Sequence, residues 1–187
     1  MNNMRVIAGK AKGMRLRQVG SKITRPITDR VKESLFNIIG EDIQGASMLD
    51  LFAGTGSVGI EALSRGASRI TFVEKNKEAL KTIKDNLCVT NFEDSAEIID
   101  NDAFKYLSIS HDLLFDYVFV APPQYNNLWY KSMKIIDNSL AIVDKDSWII
   151  VQIDPVEYKM DSFDNLYVVD KRKYGNTLLL FYMLKNR

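Results

Sequence analysis

The segment Leu49-Asp50-Leu51-Phe52-Ala53-Gly54-Thr55-Gly56-Ser57-Val58-Gly59 joins an acid-bearing apolar strand to a glycine turn and the start of a helix. Gly54 and Gly56 lack a Cβ, so the backbone can turn sharply there and let a ligand approach closely. The helix that follows offers N–H groups with no intrahelical partner at its N-terminus. Such a loop is suited to hold a nucleoside-type cofactor.

Outward from the loop, the pattern alternates short strands and helices. Met48–Phe52 reads as the first strand, Ser57–Arg65 as its helix with Gly66 as the stop, and Arg69–Glu74 as the second strand. Asn76 can cap a helix in which Leu80, Ile83 and Leu87 share a face. Ala96–Ile99, Phe115–Val120 and Trp148–Ile153 read as further strands, and Leu128–Leu140 as a helix. Leu166–Val169 and Leu178–Leu184 suggest a closing antiparallel hairpin, joined through Lys171-Arg172-Lys173-Tyr174-Gly175-Asn176. Strands alternating with helices imply an α/β fold: a mostly parallel, Rossmann-like sheet covered on both faces, with ligands beyond the carboxyl ends of its strands.

Upstream lies a different module. Met4–Ala8 and Met14–Arg17, separated by Gly9 and Gly13, read as a small β-hairpin with arginines on one face. Thr28 is a plausible N-cap for a helix carrying Val31, Leu35, Ile38 and Ile39 at helical spacing. Residues 1–34 hold nine Lys or Arg against Asp29 and Glu33, net +7, while the remainder of the chain carries −6. A basic front end on a mildly acidic body is the pattern of a nucleic-acid contact surface. The division expected is a basic extension over residues 1–40 and a main domain over 41–187.

The composition excludes several classes. No apolar run approaches the ~20 residues of a membrane span, and the first residues lack a secretory pattern, so a cytoplasmic protein is expected. One cysteine, Cys88, and one histidine, His111, give neither a disulfide framework nor a metal site.

Gly54-x-Gly56-x-x-Gly59 matches the dinucleotide fingerprint, and Glu74 follows Gly56 by 18 residues, near where an acid grips ribose hydroxyls. Three features favour S-adenosylmethionine over NAD. Asp50 suits an ammonium and would repel a pyrophosphate; some 45 residues precede the first strand; and Pro122-Pro123 follows the fourth strand, where a methyl acceptor would meet the sulfonium. Asp102 lies after the third strand, where it can recognise adenine or simply cap a helix containing Phe104 and Leu107.

Arg25-Pro-Ile-Thr-Asp-Arg-Val-Lys-Glu-Ser-Leu-Phe-Asn37, Asp50 through Ala67 and Phe115-Asp-Tyr-Val-Phe-Val120 resemble the RsmD family of bacterial 16S rRNA guanine-N2 methyltransferases. The resemblance runs from about Arg5 to Tyr182. It implies a class I methyltransferase sheet of seven strands with the last antiparallel. It also implies a methyl transfer from S-adenosyl-L-methionine to guanine 966 of 16S rRNA. The implied cofactor residues are Asp50, Phe52, Gly54, Gly56, Glu74, Asp102 and Ala103, with Arg5, Arg15, Arg25, Thr28 and Arg30 meeting the RNA. The expected setting is an assembling 30S subunit, with the enzyme a monomer.

The chain departs from the family in one place. After the fourth strand the family carries Asp or Asn, then Pro-Pro and an aromatic residue; this chain has Ala121-Pro122-Pro123-Gln124-Tyr125. Guanine N2 is a poor nucleophile, so its two hydrogens need acceptors that orient the lone pair. Pro122 keeps its carbonyl, but Ala121 has no side-chain acceptor. The expected catalytic group is therefore Pro122, Pro123, Gln124 and Tyr125, with Gln124 replacing the lost acceptor and Tyr125 stacking on the base. A non-catalytic RNA-binding or ribosome-assembly module is the alternative that Ala121 motivates, and an NAD-dependent dehydrogenase is a more distant one.

Overall fold

The computed structural model describes residues 4–20, 27–109, 113–159 and 162–185. Seven strands form one sheet: β1 (Ser47–Asp50), β2 (Arg69–Glu74), β3 (Ala96–Asp100), β4 (Tyr117–Val120), β5 (Trp148–Ile153), β6 (Leu166–Tyr174) and β7 (Thr177–Leu184). Their spatial order is β3-β2-β1-β4-β5-β7-β6, and β7 alone runs against its neighbours. Strand order reverses between β1 and β4, so the connections leaving these two strands diverge and open a crevice at their carboxyl ends.

Among the described residues five α-helices accompany the sheet: α1 (Asp29–Ile39), α2 (Ser57–Arg65), α3 (Lys77–Thr90), α4 (Ala103–Leu107) and α5 (Leu128–Ser139). Alternation along each strand divides the core in two. Met48, Ile70, Phe72, Phe119, Ile150 and Leu179 pack with residues of α1, α2 and α3 on one face. Leu49, Val73, Val118, Val120, Val151 and Leu180 pack with residues of α4 and α5 on the other. Strands buried on both sides explain the near-continuous apolar runs Tyr117–Val120 and Ile149–Val151.

The helix caps follow the sequence. Thr28 Oγ1 accepts from the Val31 N–H, Asn76 Oδ1 from Glu78 and Ala79, and Gly66 closes α2 in a left-handed conformation. One expectation changes. Lys171-Arg172-Lys173 lie inside β6, which reaches Tyr174, and only Gly175-Asn176 make the turn. A run of charge on an edge strand is a defence against pairing with another chain, which is why it reads as a connection in sequence.

The basic front end packs on the main fold. Arg5 and Arg15 form an antiparallel bridge, flanked by hydrogen bonds between Val6 and Met14 and between Leu16 and Met4. Met4, Val6 and Leu16 are buried while both arginines are exposed. This arm is pinned by the Glu61 carboxylate of α2, which accepts from the Ile7 and Ala8 N–H groups at 2.7 and 3.0 Å. Glu61 also pairs with Arg65 at 2.9 Å and with buried Lys32 of α1 at 3.6 Å, and Lys32 in turn donates to the Arg5 carbonyl. Burial lowers the Lys32 ammonium below its ordinary range, against the opposing pull of Glu61. Gly9 touches the α2 backbone: a Cβ there would lie 1.8 Å from the Ser64 carbonyl oxygen. Among the described residues no helix is long and apolar enough to cross a membrane.

Candidate active site

A cleft of about 710 Å³ opens at the carboxyl ends of β1, β2, β3, β4 and β5. Asp50, Phe52, Gly54, Glu74, Asp102 and Ala103 line it, as do Pro122, Pro123, Gln124 and Tyr125. Two regions 70 residues apart in sequence thus share one cavity, because β1 and β4 are neighbours with Asp50 level with Phe119.

Asp50 is 2% exposed. Burial pushes its carboxyl up to about 7, the Gly59 backbone N–H pulls it back by donating to it, and the charge of Glu74 pushes it further up. A buried acid at such a threshold is poised to bind a cation. Beside it, Gly56 leads into α2 in a left-handed conformation with no side-chain cap, and Ser57 and Val58 of the first turn face the cleft. A helix start without a cap suits a carboxylate. Acid and helix start together fit the two ends of a zwitterionic amino acid.

Glu74 lies at the end of β2 and ties the turn together. Its Oε2 accepts from the Gly54 N–H at 2.8 Å, and its Oε1 accepts from Lys75 and Asn76 at 2.9 and 2.8 Å. A carboxylate offers about four acceptor positions, so capacity remains for hydroxyl donors in the cleft. Asp102 caps α4, its Oδ1 accepting from Phe104 and Lys105 while Oδ2 meets Lys75 Nζ at 3.0 Å. Burial alone would raise its carboxyl, but the Lys75 ammonium and the two N–H groups hold it below the ordinary range. Phe52 and Phe104 meet edge to face at 6.1 Å and wall the same end.

Gly56 stands apart from the cleft lining. It faces Ile83 and Phe72, while Gly59 admits Phe72, whose ring would lie 2.4 Å from an added Cβ. Gly59 thereby lets α2 close on β2, while a Cβ at Gly56 would meet both α3 and β2. Arg5, Arg15, Thr28 and Arg30 are also outside the lining, on the arm and at the start of α1, with Arg5 paired to Asp29 at 3.1 Å. Arg25 falls outside the described residues, as does His111, but Ile27 two positions on reaches the cleft.

The double-proline loop is anchored from β5. Tyr125 has φ +67° and is 66% exposed; its N–H donates to Glu157 Oε1 at 2.7 Å and its hydroxyl to Asp154 Oδ2 at 3.0 Å. Asp154 and Glu157 went unnoticed in the sequence, where nothing ties residues after β5 to a loop 30 positions earlier. Gln152 was missed for the same reason. It lines the cleft from β5, and its Oε1 is buried without a hydrogen-bond partner among the described residues.

A family model described as Conserved hypothetical protein 95 matches residues 4–183. YlbH of Bacillus subtilis (strain 168) is 36% identical over 181 residues, 96% of this chain and 98% of that one. Ribosomal RNA small subunit methyltransferase D of Haemophilus influenzae is 35% identical over 148 residues, 78% of this chain and 73% of that one. The solved structure of yhhF from Escherichia coli superposes with a TM-score of 0.86 at 27% identity and covers 98% of each chain. The seven-stranded sheet and cleft agree with that kinship, and the chain belongs to the RsmD family of methyltransferases.

Proposed function

We propose that this protein is an S-adenosylmethionine-dependent methyltransferase acting on the exocyclic N2 of a guanine in 16S ribosomal RNA, guanine 966 in the RNA's numbering. One observation carries the proposal: a buried acid and an uncapped helix start share a single cleft with a double-proline loop. The Haemophilus relative's name supports ribosomal small-subunit RNA as the substrate class.

Asp50, Gly54 and the start of α2 hold the methionine end, Glu74 meets the ribose, and Asp102, Ala103 and Phe104 frame the adenine. Phe52 walls the pocket between them. The bound cofactor supplies an electrophilic methyl carbon. Asp50 favours a dinucleotide poorly, because its carboxylate would face a pyrophosphate.

The chain's remaining task is to present the amine. Pro122 offers its carbonyl to one N2 hydrogen, Pro123 stiffens the turn, and Gln124 and Tyr125 grip the base from the loop side. Stacking on Tyr125 contributes about 1–3 kcal/mol. The extension over residues 1–40 grips phosphates through Arg5, Arg15, Arg25 and Arg30, with Thr28 at the head of α1. The enzyme works as a cytoplasmic monomer on an assembling 30S subunit.

Transfer of labelled methyl to small subunits lacking the modification, with mapping of the product base, tests the proposal. No incorporation at saturating cofactor would overturn it. Ala121 favours a second reading, a non-catalytic assembly module, which predicts RNA binding with no transfer at all.

A further inference from the structure

The place left by a missing acceptor at 121 is met from the neighbouring strand. β4 and β5 run parallel with Phe119 level with Ile150 and Val120 level with Val151, so the next residues, Ala121 and Gln152, come side by side. Both lie on the same face of the sheet. Val151 and Ile153 belong to the α4/α5 side, while Gln152 stands level with Leu179, and Ala121 packs, like Leu179, on the α1/α2/α3 side. Asp50 alternates between Leu49 and Leu51 of the α4/α5 side and so shares that face. Asp50, Ala121 and Gln152 therefore end three strands in a row, facing one cleft.

A buried amide oxygen without a donor is costly, by the desolvation of that group, and such atoms are few in native proteins. The Gln152 amide oxygen is such a case among the described residues, and no bond from them holds it where it is. Turning the amide about its last torsion exchanges oxygen and nitrogen, which leaves the acceptor free to be aimed at the cleft that Gln152 lines. Ala121 carries only a methyl beside it, so the longer side chain has room that an Asp or Asn would fill.

We infer that Gln152 is the second acceptor for the exocyclic amine of the target base, taking the role that Ala121 lacks. Gln124 then contacts the base edge from the loop. The inference rests on the proposed methyl transfer to an amine. As the N–C bond forms and the S–C bond breaks, the sulfur keeps the bonding pair and positive charge grows on the nitrogen. Its N–H donors then bind more strongly to Gln152 and to the Pro122 carbonyl. A neutral amide holds the hydrogen without taking it, and the proton leaves to water afterwards.

The test compares wild type with Gln152→Met, which keeps the length and removes the acceptor, and Gln152→Glu, which keeps an acceptor oxygen. Methyl transfer to unmodified 16S RNA is measured together with cofactor affinity by calorimetry. The expected result is a kcat lowered about 10–100-fold in Gln152→Met at unchanged cofactor affinity. Transfer should persist in Gln152→Glu, and Ala121→Asn added to Gln152→Met should restore it. Binding of an RNA hairpin carrying guanine over the same hairpin carrying inosine, which lacks the amine, should fall about tenfold in Gln152→Met. Wild-type transfer matched by Gln152→Met, or a loss that Ala121→Asn fails to repair, would overturn this inference and leave the proposed function standing. Absence of transfer by wild type would remove both.

Discussion

The Gly54 N–H donates to Glu74 Oε2 across 2.8 Å, binding the turn after β1 to the end of β2. One carboxylate fixes three backbone N–H groups, and so sets the shape of this end of the cleft. Glu74→Gln keeps the size but turns half of the group into a donor facing other donors. Calorimetry should show cofactor affinity lower by about 10–100-fold, and stability should fall by about 1–3 kcal/mol.

Asp50 links pH to both stability and binding. Its carboxyl titrates at about 7 in the fold and near 3.8 when exposed, so folding favours the protonated form. Stability from this group is full below about pH 4 and is lost as pH rises through 7. Asp50→Asn should be more stable than wild type at pH 8, by up to about 4 kcal/mol, with the difference vanishing near pH 4 in denaturant titrations. On the proposed role of Asp50 against the cofactor's ammonium, binding requires the charged form, so its pH dependence around 7 should disappear in the variant along with much of the affinity.

Glu61 is fully buried and satisfies the arm, Arg65 and Lys32 at once. Glu61→Ala leaves the buried Lys32 ammonium without its carboxylate and two N–H groups unpaired. A loss of about 3–5 kcal/mol is expected in urea unfolding. Loosening of the arm should appear as faster proteolysis before Gly20.

Arg15 is exposed on the arm beside the bridge to Arg5. Arg15→Gln should weaken RNA binding evenly across sequences and lower the slope of log affinity against log salt by about 0.7–0.9. A fluorescence titration over a salt series measures this directly.

The Tyr125 ring and hydroxyl have separable roles. Tyr125→Phe loses the bond to Asp154 but keeps the stacking surface, so KM for RNA should change little. Tyr125→Ala should raise KM about tenfold, as expected for loss of one stacked base. Gln124→Ala should likewise act on KM, whereas Gln152→Met acts on kcat.

Local rules carried the sequence far. Asn76, Thr28 and Gly66 announce helix ends because caps are set by the two or three residues beside them. The boundary of β6 escaped because Lys171-Arg172-Lys173 obey the needs of an edge strand, which only the finished sheet defines. Gly56, expected to meet the cofactor, lies outside the cleft lining, and Ile83 and Phe72 sit where a Cβ would point, contacts that no glycine turn announces in sequence.

The chain's own order of residues determined the alternating α/β architecture, the acid-and-glycine loop, the altered Ala121–Tyr125 segment and the basic front end. All are periodicities or short motifs, expressed within a few residues of backbone. The tertiary structure alone decided that Gln152 lies beside Ala121, that Asp154 and Glu157 hold Tyr125, and that Glu61 clamps the arm. The first two depend on strand register and sheet order and the third on the seating of the arm against α2, all contacts between residues 29 or more positions apart that leave no local trace.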